Sequence, residues 1–324
     1  MADMHSHYGM FMPRFFGFDL ARHMAETGTT LLAWSVTDDS HWIGRSNGRL
    51  TQLKEPQPGE LWAKFQERLA GYEAKRKAWK IDLALTPADI DSAVAGHPRI
   101  LLATEAANFL EGQPERVAQA HALGIRHMQM VHFIHSPLGA HQTGQPQHGR
   151  ITPAGAQVVR ECKRHGIVVD LAHGTANFVD GALDASDAVM VWSHSWISAR
   201  GGDWQAPGYI ARSLSLASAK KIAARGAVGL WTVRVHGDPQ YTVTSVRSFA
   251  DEMMRMCDLV GPDHVAFGTD MEGAGPGPIL SDYADLRDVA DNLARRGLPD
   301  ETLHNVFIGN YARIVKLAMN GATP

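Results

Sequence analysis

The chain has 324 residues, 44% hydrophobic and 20% charged, with a formal net charge of -3. That charge gives no general attraction to nucleic acid or to an anionic membrane, and no apolar run approaches the ~18 residues of a spanning helix. Two cysteines in so long a chain exclude a disulfide framework and point to a reducing, cytoplasmic compartment. The start of the chain lacks the charged-then-apolar layout of a signal peptide, and no leader is expected before candidate ligands that begin at position 5.

Eight short apolar runs read as strands: Ala2–His7, Thr30–Val36, Ile100–Glu105, Arg126–His132, Ile167–His173, Val189–His194, Ala227–Val233 and His264–Asp270. Continuously apolar stretches such as Ile167-Val168-Val169 are the mark of strands buried on both faces of a parallel sheet. Between them, Gln57–Lys80, Pro153–His165, Ser215–Arg225, Thr244–Leu259 and Ser281–Arg296 carry helical spacing. Thr152 before Pro153 reads as an N-cap, and Gly226 as a C-cap. Beyond Pro299 the tail reads as two short helices around Gly309 and Asn310. Strand–helix alternation of this length predicts a single (β/α)₈ barrel domain over residues 1–324 with a C-terminal helical extension. A doubly wound open sheet is the runner-up, weakened by the absence of a Gly-rich phosphate fingerprint after the first strand. Two loops, Gly139–Arg150 and Gly201–Gly208, follow strands and should sit above the carboxyl ends of the barrel.

Alternate residues of a strand face the same side, so His5 and His7 aim at one point. Five of the other seven strands, the third to sixth and the eighth, end in Glu105, His132, His173, His194 and Asp270. In a barrel these ends converge on one ring. Five imidazoles and two carboxylates there would suit two Zn²⁺-like divalent ions sharing a carboxylate bridge. No Gly-x-Ser-x-Gly elbow and no His-Glu-x-x-His helix offers a different chemistry.

The stretches Gly166–His173, Trp192-Ser193-His194-Ser195 and His264–Asp270 carry a resemblance to the membrane dipeptidase (renal dipeptidase) family of metal-dependent amidohydrolases. Ala33-Trp34-Ser35, Gly124-Ile125-Arg126 and the tail Gly309–Arg313 are similar to further parts of it. The resemblance implies a zinc-dependent dipeptidase, tolerant of a D-residue at the C-terminal position, and a homodimer. It implies that His5 and His7 hold a first metal, that His173 and His194 hold a second, and that Glu105 bridges both. Asp270 would lie beside a bridging water and move its proton. His132 would contact the substrate, and an arginine would bind the carboxylate of a small-molecule substrate. Arg212 is the choice for that arginine, with Arg200 and Arg234 as alternatives. The expected chemistry is attack of the metal-activated bridging hydroxide on an amide carbonyl, with Asp270 as proton shuttle and His132 stabilising the oxyanion.

His7 departs from the family, which places Asp there. The exchange makes a dimetal centre more positive by about one unit and should lower the pKa of bound water. It leaves two rival readings open: the same centre acting on a non-peptide amide, lactone or N-acyl amino acid, and a non-catalytic metal-binding scaffold.

Overall fold

The structure, a computed structural model, describes every residue except 13–16, 38, 47–48, 146, 203–204, 207, 236, 274–276 and 323–324. Its strands are β1 (Ala2–Ser6), β2 (Leu31–Thr37), β3 (Ile43–Ser46), β4 (Arg49–Gln52), β5 (Asp82–Leu83), β6 (Arg99–Glu105), β7 (Ile125–Gln129), β8 (Val168–Asp170), β9 (Met190–Ser195), β10 (Gly226–Leu230) and β11 (Val265–Phe267). Eight of them pair in parallel in the order β1-β2-β6-β7-β8-β9-β10-β11, with helices between, as a (β/α)₈ barrel requires. The seam between β11 and β1 is closed by two backbone bonds, Asp270 N to His5 O at 2.9 Å and His7 N to Met271 O at 3.0 Å. The buried Asp3 carboxylate adds to it, accepting from Thr269 N at 2.9 Å and Tyr283 OH at 2.7 Å.

Side chains along the strands sort by alternation into two cores. Leu32, Trp34, Ile100, Leu102, Val169, Met190 and Trp192 pack in a cluster with the surrounding helices. Their neighbours Leu31, Ala33, Leu101, Ala103, Val168, Val191, Ala227 and Ala266 form a second cluster with Tyr311, Ile314, Val315 and Ala318. The four latter residues lie on helix Asn310–Asn320, so the predicted C-terminal extension packs against the small residues of the barrel interior.

The helix bounds agree closely for Pro153–Arg164, where Thr152 Oγ1 accepts from Gly155 N at 3.1 Å. The expected helices Gln57–Lys80, Thr244–Leu259 and Ser281–Arg296 appear as Glu60–Ala78, Val246–Val260 and Asp285–Arg295. Two expectations need correction. Helix Leu216–Ala223 is capped by Ala224, and Gly226 opens β10 instead. A Cβ there would stand 2.1 Å from Met190 O, so glycine serves strand approach. The tail is not broken at Gly309: Asp300–His304 runs through a π-helical turn, Asn305–Gly309, into Asn310–Asn320. The β3–β4 hairpin was not anticipated. Its strands, Ile-Gly-Arg-Ser and Arg-Leu-Thr-Gln, are not apolar runs, so the Asn47-Gly48 dipeptide was the signal available, and those two residues lie outside the described set. So do 146, 203–204 and 207 of the two predicted loops.

Candidate metal centre

The predicted residues meet at the carboxyl ends of the barrel strands. Most stand a little beyond the strands proper, which is a correction to the expected boundaries. Glu105 ends β6 and His194 lies within β9. His7 follows β1, while His132, His173 and Asp270 each come three residues after β7, β8 and β11. The backbone explains part of this. His173 has φ +70° and Asp270 φ +51°, left-handed conformations that end a ladder and cost side-chain-bearing residues of order 1–3 kcal/mol. Gly273 makes room for the turn: a Cβ on it would lie 2.1 Å from Asp270 Oδ1 and 2.8 Å from His7 Cδ2.

All seven residues are buried. Glu105 is the hub. Its Oε1 is 3.4 Å from His5 Nε2, 3.3 Å from His132 Nε2 and 3.8 Å from His173 Nε2, and its Oε2 is 3.1 Å from His7 Nε2. Asp270 Oδ1 is 3.4 Å from His7 Nε2 and 3.8 Å from His5 Nε2. His173 Nε2 and His194 Nε2 face each other at 3.2 Å. Two groups of donor atoms result, His5, His7, Glu105 and Asp270 on one side and Glu105, His173 and His194 on the other, with the atoms of each within 4.8 Å of one another.

That arrangement fits metal ions. His5 Nε2, His7 Nε2 and Asp270 Oδ1 are buried without a hydrogen-bond partner, an expensive state for polar atoms unless something else satisfies them. A tetrahedral ion with bonds near ~2.1 Å holds its donor atoms roughly 3.4 Å apart, the spacing seen around Glu105 and between the two Nε2 atoms. Residues given no site role from the sequence orient the donors. Ser35 O lies 2.9 Å from His7 Nδ1, and Ser35 Oγ 3.2 Å from His5 Nδ1. Ser193 Oγ lies 2.8 Å from His194 Nδ1, and Thr37 Oγ1 donates to Glu105 Oε2 at 2.9 Å. Partners on Nδ1 leave Nε2 as the donor to a metal.

Electrostatics divides the imidazoles. Burial, with Arg212 nearby, holds His173 and His194 well below the usual histidine range, so both stay neutral. Burial opposes charge on His132 as well, but the Asp39 and Glu105 carboxylates outweigh it and raise its pKa. Asp39, fully buried, accepts from His132 Nδ1 at 2.8 Å and from Phe133 N at 3.3 Å. For Glu105, burial favours the neutral acid, and His132 and His7 prevail to keep it ionised.

Of the three arginine alternatives, Arg212 is buried and reaches the centre, its Nη2 3.0 Å from His194 Nε2. Its guanidinium carbon lies 4.7 Å from the Trp231 ring centroid and 5.7 Å from that of Phe133. Arg200 and Arg234 are exposed.

Fold and donor arrangement together are those of a (β/α)₈ barrel with a candidate dimetal centre at the carboxyl ends of its strands. Residues 64–323 match the family model "Membrane dipeptidase (Peptidase family M19)", and the chain belongs to that family. It is 25% identical over 223 residues to dipeptidase aclJ of Aspergillus oryzae, covering 66% of this chain and 50% of that one. The chain spans about half the length of the curated relatives it matches. Among solved structures it shares the fold of dipeptidase AC, a metallo peptidase of family M19, with TM-score 0.81 at 19% identity over 99% of this chain and 98% of that one. A metallo peptidase from Rhodobacter sphaeroides, liganded with a phosphinate mimic of the dipeptide L-Ala-D-Ala, gives 0.79 at 19% identity, covering 97% and 98%.

Proposed function

We propose that the protein is a metal-dependent dipeptidase, with Zn²⁺ as its resident metal and small dipeptides, including those with a C-terminal D-residue, as substrates. The observation that carries this reading is the sharing of Glu105 between two histidine pairs, with Asp270 beside the first pair and Arg212 beside the second. His5, His7 and Asp270 would hold one ion, His173 and His194 the other, and Glu105 both. Ions bound there supply Lewis acidity, which acidifies water and polarises the scissile carbonyl.

The chain's own groups do the rest. The planar guanidinium of Arg212 pairs with the substrate's terminal carboxylate through two parallel N–H bonds. His132, held through Nδ1 by Asp39, presents Nε2–H to the carbonyl oxygen as negative charge develops on it. Asp270 takes a proton from the attacking water and passes it to the leaving amine. A proton shuttle and a carboxylate clamp have no use in a pure metal scaffold, which weighs against that reading. His7 in place of the family's Asp keeps the second reading, hydrolysis of a non-peptide amide, lactone or N-acyl amino acid, as the rival. No helix among the described residues is long and apolar enough to cross a membrane. A cytoplasmic location, a single domain over residues 1–324 and a homodimer complete the proposal.

The test is a ninhydrin assay of zinc-loaded protein on a panel of L,L- and L,D-dipeptides, run beside N-acyl amino acids and lactones. Release of free amino acid from dipeptides is expected. Turnover confined to the other compounds would overturn the dipeptidase reading.

A further inference from the structure

Trp231 is one residue beyond β10, and its indole touches two of the groups just described. Nε1–H donates to Asp270 Oδ2 at 3.0 Å. The ring face carries the guanidinium of Arg212 at 4.7 Å, inside the ~6 Å range of a cation–π contact. The indole is itself held. It is essentially buried, lies edge-on to the His194 ring at 5.5 Å, and stacks on Trp196 at 6.1 Å. Its backbone N donates to Ser195 O at 3.0 Å, and its carbonyl accepts from Tyr241 OH at 3.2 Å.

We propose that Trp231 is a positioning residue that fixes the orientation of the Asp270 carboxylate through Oδ2 and, with its ring face, sets the carboxylate-binding arginine. The first half follows from the chemistry of indole. Its N–H is a donor only, with no lone pair to accept a proton. Asp270 Oδ2 is therefore held by a donor that cannot exchange roles, which fixes the plane of the carboxylate and the direction of Oδ1. That oxygen is the one buried without a partner and aimed at His7 and His5. The second half follows from the face. Arg212 lies over the π cloud, which stabilises the cation with its guanidinium edge turned toward His194. One rigid side chain thus holds the clamp and the shuttle at a set distance from each other, which a flexible side chain could not do.

The inference rests on the dipeptidase reading, and the experiment separates the two. Trp231→Phe keeps a ring face and removes the N–H. Replacement by 3-benzothienylalanine removes the N–H with the bicyclic shape intact, which guards against a Phe variant that fails to fold. Trp231→Leu removes both functions. Each is compared with native enzyme for melting temperature, bound zinc, kcat and KM on a dipeptide and its C-terminal amide, and affinity for a phosphinate dipeptide mimic. Loss of the N–H alone should lower kcat about 10–100-fold, the usual scale for an outer partner of a site group, with KM and phosphinate affinity for free acids little changed. Trp231→Leu should in addition raise KM, and weaken the phosphinate, by roughly 3–30-fold for free acids and not for amides. Native kcat without the N–H, or equal KM changes for acid and amide in Trp231→Leu, would overturn the proposal while native enzyme still cleaves dipeptides. Native enzyme inactive on every dipeptide would overturn the dipeptidase reading, and this inference with it.

Discussion

The backbone carbonyl of Ser35 lies 2.9 Å from Nδ1 of His7, and this one contact decides how His7 can serve the site. A carbonyl only accepts, so Nδ1 carries the hydrogen and Nε2 is the nitrogen that can offer its lone pair to a metal once its own proton leaves. Tyr72 OH donates to the same carbonyl at 2.6 Å, fixing its direction. His7 can therefore replace a carboxylate as metal ligand without losing its orientation. His7→Ala should lower bound metal from about two ions per chain to about one, because Glu105, His173 and His194 remain. Elemental analysis after dialysis checks this; two tightly held ions in the variant would remove His7 from the ligand set.

Metal uptake should depend on pH through the same residue. Burial disfavours charge on His7, yet Glu105 and Asp270 outweigh it and raise its pKa from 6.5 to about 10 in the metal-free protein. A raised histidine stabilises the metal-free fold fully below its unfolded pKa of 6.5 and loses that contribution as pH rises through about 10. A metal needs the neutral ring, so binding expels this proton at lower pH, and apparent affinity should climb about tenfold per pH unit for one proton. Competitive zinc titrations between pH 6.5 and 8.5 measure the slope. A flat dependence would mean that His7 enters the site already neutral.

Asp270→Asn should keep the fold and lose ~10²–10⁴-fold in kcat, the scale of a general acid–base group. The amide can still accept from Trp231 Nε1–H but cannot take a proton. Near-native turnover with intact metal content would assign the proton transfer to another group.

Arg212→Met should raise KM for substrates with a free carboxylate by about tenfold or more, and far less for amidated ones, because the bidentate pair exists only with the carboxylate. Steady-state kinetics on matched acid and amide substrates decide it. Equal effects on both would transfer the role away from Arg212.

What the sequence by itself determined is the barrel and its ring of donors. Short continuously apolar runs alternating with helical stretches point to strands of a parallel sheet buried on both faces, and a closed parallel sheet brings His5, Glu105, His194 and the rest to one end. Only the tertiary structure decided the supports. Asp39, Ser35 and Trp231 carry no spacing signal, because they act across elements: Asp39 on His132, 93 positions away, and Trp231 on Asp270, 39 positions away. That Arg212 is buried against Trp231 and Phe133 while Arg200 and Arg234 are exposed was likewise visible only in the tertiary structure. The left-handed turns at His173 and Asp270 were illegible for a related reason: neither residue type demands a positive φ, and the conformation comes from contacts the whole fold imposes. Local pattern reports which face of a strand is apolar; which oxygen of a carboxylate is tied and which is free depends on side chains that meet only once the barrel closes.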